Sequence, residues 1–540
     1  MKFSAQRLAR LLPVAIAALA FLAFLPTLSN GFINWDDETN FLNNPNFRGL
    51  GWTQLHWMWT THLLGRYVPI TWMTLGLDYS LWGMNPLGYH LSNLVWHAAN
   101  AVLFYFVALA LFRRTGAGAA APIAALFAAL IFAVHPLRVE SVAWITERRD
   151  LVSGFFYLFA ILICLRAIPD DPPRAIRVKH YWASLALFTL AVLSKEIAVT
   201  LPAILLILDV YPLRRFTRTT ARIILLEKIP FFAIALAVSA MALYNGYHEK
   251  TAETLAHLGL FDRLAIVTYG LAFYVRKTLL PIDLTPIYAL TPERVNPLGA
   301  PFLASAACVL AAIAIILLFR RRFPALPAAA LAYVITLIPV SGLFHNGRQI
   351  AADRYSYLSC LPWALVAAAG LSWIARRRPG AVNALSAIAA CAILALGILT
   401  WRQTKIWHDS DTLWSHALAV EPSYLTYSKM GDLLVQEGDV LWSIEWLRRS
   451  TTLKPDYAPA HLNLASALLA LHRTSEAIAE YQKVLDLGEA REFAENGLGC
   501  ALALDGQREQ AIAHFEQALR INPAYQDARR NLAAALAQKP

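Results

Sequence analysis

Residues 300–319 are APFLASAACVLAAIAIILLF, a stretch of 20 residues without a charged side chain. About 20 such residues, wound into a helix, cross the hydrocarbon core of a bilayer. Apolar runs recur through the first 400 residues, at about 11–28, 88–112, 119–134, 151–166, 181–194, 197–211, 224–244, 300–319, 325–340, 358–375 and 382–400. The sequence therefore predicts an all-α, multi-pass membrane helix bundle with about eleven spans.

The composition of the whole chain agrees with a membrane location. Of its 540 residues, 58% are hydrophobic and only 15% are charged, with a mean hydropathy of +0.46. Soluble domains carry about 25% charged residues. These values exclude an intrinsically disordered chain, a disulfide-rich secreted module and an ordinary soluble enzyme. We assign the net charge of +11 to cytoplasmic loops rather than to nucleic-acid binding.

The distribution of positive charge predicts the orientation of the bundle. A basic segment, residues 2–10, precedes the first apolar run, which places the N-terminus in the cytoplasm. Residues 262–281 are interrupted by charged side chains, and we expect this stretch to lie on the outer face without spanning. The first outer loop, 29–87, and the C-terminal part, 408–540, then lie outside. In a bacterial inner membrane this side is the periplasm.

A 34-residue period runs through residues 424–525, and Pro455 recurs two periods later as Pro523. This period is typical of the tetratricopeptide repeat, a helix–turn–helix unit. Three units suffice for a continuous core and form a concave groove that binds a peptide or partner protein. We therefore expect a membrane domain over 1–407 and a tetratricopeptide-repeat solenoid over 408–540.

Three acidic residues, Asp36, Asp37 and Glu38, follow the first apolar run closely. Adjacent carboxylates raise each other's pKa, so one of them is a candidate general base just above the membrane. The alternative is a solvated turn or helix start, since acidic residues are common beyond a span.

The stretch HPLRVESVAWITERRD, residues 135–150, carries several arginines in a loop predicted to lie outside. Arginine suits phosphate because its planar fork donates two hydrogen bonds, so an anionic headgroup is one candidate ligand. A salt-bridge network that holds the loop is the other interpretation, and both stay open. The candidate residues of this loop and two later ones are His135, Arg138, Glu140, Arg148, Arg149, Asp150, Lys195, Glu196, Arg348, Asp353 and Arg354. Histidine and cysteine show no metal-ligand spacing, and no metal is assigned.

These segments together resemble the transmembrane and tetratricopeptide-repeat O-mannosyltransferases, which are C-type glycosyltransferases. The resemblance is carried, in order, by NWDDE, HPLRVESVAW with ERRD, LSKE with VTLP, ADRYSYL and the repeats. It covers nearly the whole chain. The most specific parts are the second segment and ADRYSYL.

The resemblance implies an inverting transfer of a sugar, typically mannose, from a polyprenyl-phosphate donor to a hydroxyl acceptor. By position, Asp36 or Asp37 is the base. The residues expected near the donor phosphate are Arg138, Arg148, Arg149, Lys195 and Arg354, and those expected to support the site are Glu38, His135, Glu140, Asp150, Glu196 and Asp353. The acceptor is expected to be Ser or Thr of a protein recruited by the repeats. Some C-type relatives use a divalent metal and others do not, so metal dependence stays open.

Two other classes of function compete with the enzyme. A non-catalytic membrane scaffold, whose repeats bind periplasmic proteins, explains the repeats but not the charged outer loops. A transporter of lipid-linked sugars requires polar residues along a path through the bundle. The predicted spans hold few charges, and the polar residues cluster at one face, which favours the glycosyltransferase.

Overall fold

The computed structural model describes residues 5–168, 177–248, 258–289, 295–343 and 349–537. The candidate residue Arg348 lies outside these ranges. The chain divides into two compact units, Met1–Asp409 and Ser410–Pro540. Both units are built almost wholly from helices, as the sequence predicts.

The described helices of the first unit are, in chain order, α1 (Ala5–Ala23), α2 (Trp52–Thr60), α3 (Pro69–Trp82), α4 (Pro86–Arg114), α5 (Ala121–Ala133), α6 (Val139–Ala143), α7 (Arg148–Ala167), α8 (Val178–Val192), α9 (Leu201–Val210), α10 (Ala221–His248), α11 (Leu260–Leu279), α12 (Ala300–Phe319), α13 (Ala325–Leu337), α14 (Ser356–Ser359), α15 (Leu361–Arg377) and α16 (Val382–Ile406). Short helical turns at Pro136–Arg138, Ile145–Glu147, Glu196–Thr200 and Asp353–Tyr355 connect them near the candidate residues. Two strands, β1 (Tyr288–Ala289) and β2 (Gln349–Ala351), pair antiparallel.

The number of full-length spans is smaller than the eleven expected. Among the described residues, five helices are long and apolar enough to cross a membrane, or up to seven if each of two bent helix pairs is one span. The runs at 181–194 and 197–211 form α8 and α9, with only 15 and 10 residues. At about 1.5 Å per residue these helices are shorter than a hydrocarbon core of about 30 Å. Helix α11, in the doubtful stretch 262–281, is not among the five.

Two helices illustrate how the bundle uses its apolar surface. In α12 only Phe302 is buried, which is expected of a helix that faces lipid. In contrast, α7 packs along α4 and α8, and its first turn, Arg148 to Asp150, is buried. The charged residues that precede and begin α7 are therefore enclosed by neighbouring helices rather than presented on a loop.

The second unit is a stack of helices, namely α17 (Ser410–Val420), α18 (Tyr424–Glu437), α19 (Val440–Leu453), α20 (Ala458–Ala470), α21 (Thr474–Leu487), α22 (Arg491–Leu504), α23 (Arg508–Ile521) and α24 (Gln526–Ala537). Consecutive helices pack in pairs around a shared apolar core. Gly499 permits the close approach of α22 and α23, because a Cβ atom there would lie 2.6 Å from the Phe515 ring.

Candidate functional site

Asp37 anchors the segment 29–87 to the turn that precedes α7. Its carboxylate accepts hydrogen bonds from the Ile33 N–H (3.0 Å), the Thr146 N–H (3.2 Å) and the Thr146 hydroxyl (2.6 Å). The side chain is fully buried, and burial raises the pKa of Asp37 from its ordinary 3.8 to about 7. All three donors come from the protein itself, so Asp37 holds the loop in place.

Asp36 is the more accessible of the two aspartates. Its side chain is partly exposed, and the residues on either side of it are fixed. Trp35 stacks on Trp144 with ring centroids 4.3 Å apart, while Asp37 is bonded to the turn next to Trp144. Asp36 is thereby held over this turn, close enough for its charge to act on Arg149. Glu38 begins a short helix, Glu38–Leu42, and is partly buried.

Glu147 is the centre of a buried ion-pair cluster. Its carboxylate lies 2.5 Å from the Arg149 guanidinium, 2.8 Å from the Lys195 ammonium and 3.2 Å from Nε of Arg354. Glu147 is fully buried, and three cations from separate parts of the chain converge on it. In such a setting an ion pair needs close geometry and further hydrogen bonds to offset desolvation.

Two further carboxylates complete the charge-balanced cluster. Arg354 pairs with Glu140, which also accepts the Arg354 backbone N–H over 2.7 Å. Lys195 lies 2.7 Å from Asp150, whose other oxygen accepts the Ser141 hydroxyl. Three acids and three cations thus neutralise one another. The structure contains the salt-bridge network that was one interpretation of this loop, and phosphate binding by its cations stays a prediction.

Two of the predicted residues, Arg148 and Arg138, lie apart from this cluster. Arg148 is fully buried and pairs with Asp78 over 2.7 Å, while its Nε also donates to Asn93. Arg138 donates to the carbonyl and hydroxyl oxygens of Ser356, at 2.5 and 2.8 Å. These contacts show both arginines holding helices together.

The other predicted supporting residues are placed around the cluster. His135 Nε2 lies 3.0 Å from the Thr278 carbonyl oxygen, at the end of α11. Asp353 accepts the Tyr288 hydroxyl over 3.0 Å. Glu196, next to Lys195, is partly exposed. No group of three or more His, Cys, Asp or Glu side chains suited to a metal occurs in the described ranges.

The sequence did not single out several residues that shape the site. Glu147 was visible in the second loop, but nothing distinguished it from its charged neighbours. Asp78 and Arg66 lie in no motif, and nothing distinguished Thr146 within residues 135–150, because each acquires its partner or neighbour from a distant part of the chain. The one sequence signal for these residues was the unusually polar composition of residues 29–87.

The chain is similar to one protein-family model in its repeats and to curated proteins over most of its length. Residues 458–489 and 496–525 match the family model "Tetratricopeptide repeat". A mouse protein named Protein O-mannosyl-transferase TMTC3 is 27% identical over 450 residues, covering 77% of this chain and 47% of its own. Human Protein O-mannosyl-transferase TMTC1 is 24% identical, and the match covers 92% of this chain and 58% of the human protein. The chain thus spans about half the length of the curated relatives it matches.

Among solved structures, an oligosaccharyltransferase from Archaeoglobus fulgidus, tethered with an acceptor peptide, is similar at 14% identity and a TM-score of 0.40. The match covers 80% of this chain and 58% of that one. The sequence comparisons confirm the resemblance to the O-mannosyltransferases and the presence of tetratricopeptide repeats.

Proposed function

We propose that this relative of the TMTC O-mannosyl-transferases is itself a membrane glycosyltransferase. It transfers a sugar, with mannose as the first candidate, from a polyprenyl-phosphate donor to a Ser or Thr hydroxyl of a protein. The names of the relatives support this activity. The observation that carries the proposal is the position of Asp36, a partly exposed carboxylate fixed beside a buried cluster of cations.

In the proposed reaction Asp36 is the base. The acceptor oxygen attacks the anomeric carbon from the face opposite the phosphate, so the configuration inverts. The bond from that carbon to the phosphate oxygen breaks, its electron pair stays on the phosphate, and the hydroxyl proton passes to Asp36. No acid is needed for the leaving group, because a lipid phosphate leaves as a stable anion.

The cations of the cluster are suited to stabilise that anion because they are already held in place. Lys195 donates to Glu147 and Asp150 and has a third N–H, and the charge of Asp36 acts on Arg149. Fixed charges cost no reorganisation as negative charge grows on the phosphate. Glu147 performs the positioning and does not itself contact the substrate in this scheme.

The test uses purified protein, polyprenyl-phosphate mannose and a panel of Ser/Thr peptides. Asp36→Asn should unfold at the wild-type temperature and lose transfer about 10²–10⁴-fold. Asp262→Asn removes a carboxylate remote from the site and should keep full transfer. Wild-type rates in Asp36→Asn would show that Asp36 is not the base.

The scaffold hypothesis makes different predictions in the same system. It requires no transfer from any polyprenyl-phosphate sugar, together with capture of a partner by residues 408–540. The proposed topology, with the repeats in the bacterial periplasm, is tested by a reporter fused after Pro540. Activity of a periplasmic reporter is expected, and an inactive fusion would place the repeats away from the proposed site.

A further inference from the structure

A strained turn in the first outer loop positions Arg66. Leu64 has φ 54° and ψ 35°, in the left-handed region, and Gly65 follows with φ 70°. A non-glycine residue in this conformation is strained, and neighbouring contacts must offset the strain. His62, just before the turn, makes such contacts: it stacks on Tyr67 with ring centroids 5.2 Å apart and forms a hydrogen bond with Asn245 over 2.9 Å.

Arg66 lines a small recess together with Arg149 of the ion-pair cluster. The polar residues Asn40, Thr71 and Thr146 also line this recess, and its remaining walls are apolar, formed by Phe41, Leu63, Leu64, Val68, Trp72 and Leu75. Thr146 is the residue that binds Asp37. The recess therefore joins the first outer loop to the turn before α7, beside the proposed base.

Arg66 differs from the cations of the cluster in having no counter-ion. Its backbone N–H donates to the Leu63 carbonyl oxygen, but its guanidinium forms no hydrogen bond or ion pair with the residues that the structure describes. In contrast, Arg149, Lys195 and Arg354 are each paired with a carboxylate. The strongest electrostatic influence on Arg66 is the like charge of Arg149, which lowers the pKa of Arg66. The carboxylates of Glu196, Glu147 and Asp36 act on it more weakly and in the opposite direction.

A partly buried guanidinium that faces another guanidinium is an unfavourable arrangement unless an anion lies between them. Phosphate suits such a site because two planar forks can each donate paired hydrogen bonds to its oxygens. We infer that Arg66 and Arg149 together bind the phosphate of the substrate at this recess. The identification of that phosphate with a polyprenyl phosphate rests on the proposed function.

The inference is tested by binding, without turnover. Polyprenyl phosphate lacking a sugar is titrated into the purified protein in nanodiscs, and its Kd is measured for wild type, Arg66→Gln and Arg66→Lys. We expect Arg66→Gln to raise the Kd at least tenfold and Arg66→Lys to raise it less, because lysine keeps the charge but not the fork. Arg48→Gln is the control, since Arg48 does not itself line the recess and donates to the carbonyl oxygens of Phe41 and Leu42. It should leave the Kd within twofold.

Glu196→Gln provides a variant with the opposite sign. Removing this neighbouring carboxylate makes the recess more positive, and the Kd should fall several-fold. Inorganic phosphate is the second probe. If inorganic phosphate competes in wild type and this competition disappears in Arg66→Gln, the site binds the phosphate group. If inorganic phosphate does not compete in wild type, the affinity comes from the lipid chain, and the inference is overturned.

Unchanged polyprenyl-phosphate binding in Arg66→Gln, with the wild-type unfolding temperature, would also overturn it. Should Arg66→Gln fail to fold, the Arg66→Lys and Glu196→Gln titrations decide in its place. Because binding is measured without sugar transfer, this result is independent of whether the chain proves to be a transferase. If transfer occurs, Arg66→Gln should raise the donor KM and also lower kcat, because negative charge grows on the phosphate that Arg66 binds.

Discussion

Replacing Glu147 with glutamine tests whether the buried cluster holds the first unit together. The substitution keeps the shape of the side chain and removes its charge. Three cations contact this carboxylate, yet they are not affected equally. Lys195 keeps Asp150 and Arg354 keeps Glu140, whereas Arg149 loses the carboxylate with which it is paired.

The expected loss is therefore that of one broken buried ion pair, not of three. Breaking such a pair by removing one partner costs about 3–5 kcal/mol, because an uncompensated buried charge is left behind. The second change, Arg149→Gln in the Glu147→Gln background, removes that leftover charge. It should recover at least about 1–2 kcal/mol of the lost free energy of unfolding.

The free energy of unfolding is measured by denaturant titration of the purified protein in detergent. The matched control is Glu196→Gln, which makes the same chemical change beside the cluster at a partly exposed residue. It should cost no more than about 0.5 kcal/mol. If Glu147→Gln and Glu196→Gln differ by less than about 1 kcal/mol, the cluster does not stabilise the fold as argued.

Three further predictions concern other parts of the chain. Because burial raises the pKa of Asp37 to about 7, the folded state holds its proton more tightly than the unfolded state. The contribution of Asp37 to stability should be fullest below about pH 4 and should decline as the pH rises to about 7. In Asp37→Asn the unfolding temperature should lack this part of its pH dependence. Gly499→Ala should lower the free energy of unfolding of the repeat unit by about 1–3 kcal/mol, since its Cβ would meet the ring of Phe515. Arg148→Gln should destabilise the first unit by leaving Asp78 unpaired, and an altered donor KM without destabilisation would contradict the structural role assigned to Arg148.

The sequence by itself determined the membrane character of the first unit and the repeat architecture of the second. Both follow from local properties of the chain: runs of apolar residues long enough to span a bilayer, and a fixed 34-residue period that sets the spacing of paired helices. The same signals predict eleven spans, whereas the described residues hold five helices long and apolar enough to cross a membrane, or up to seven if each bent pair is one span. Hydropathy does not register where a helix stops, and α8 and α9 are both short because the chain turns at Ser194 to Glu196.

The sequence also singled out segments whose charged residues meet in the structure, since Asp36, Arg149, Lys195 and Arg354 come from four such segments. That sugar transfer takes place there stays a prediction. The sequence did not distinguish among neighbours within those segments. Asp36 and Asp37 are adjacent in the chain, yet one is partly exposed and the other is fully buried.

Only the tertiary structure decided which charged residue has which partner. Arg148 and Arg149 are adjacent in sequence but point to different acids, Asp78 and Glu147, because successive residues of a helix face directions about 100° apart. Arg66 lines the same recess as Arg149 because of a strained turn that no sequence motif predicts. Pairing of this kind depends on which helices surround a side chain, and a linear pattern of residue types does not contain that information.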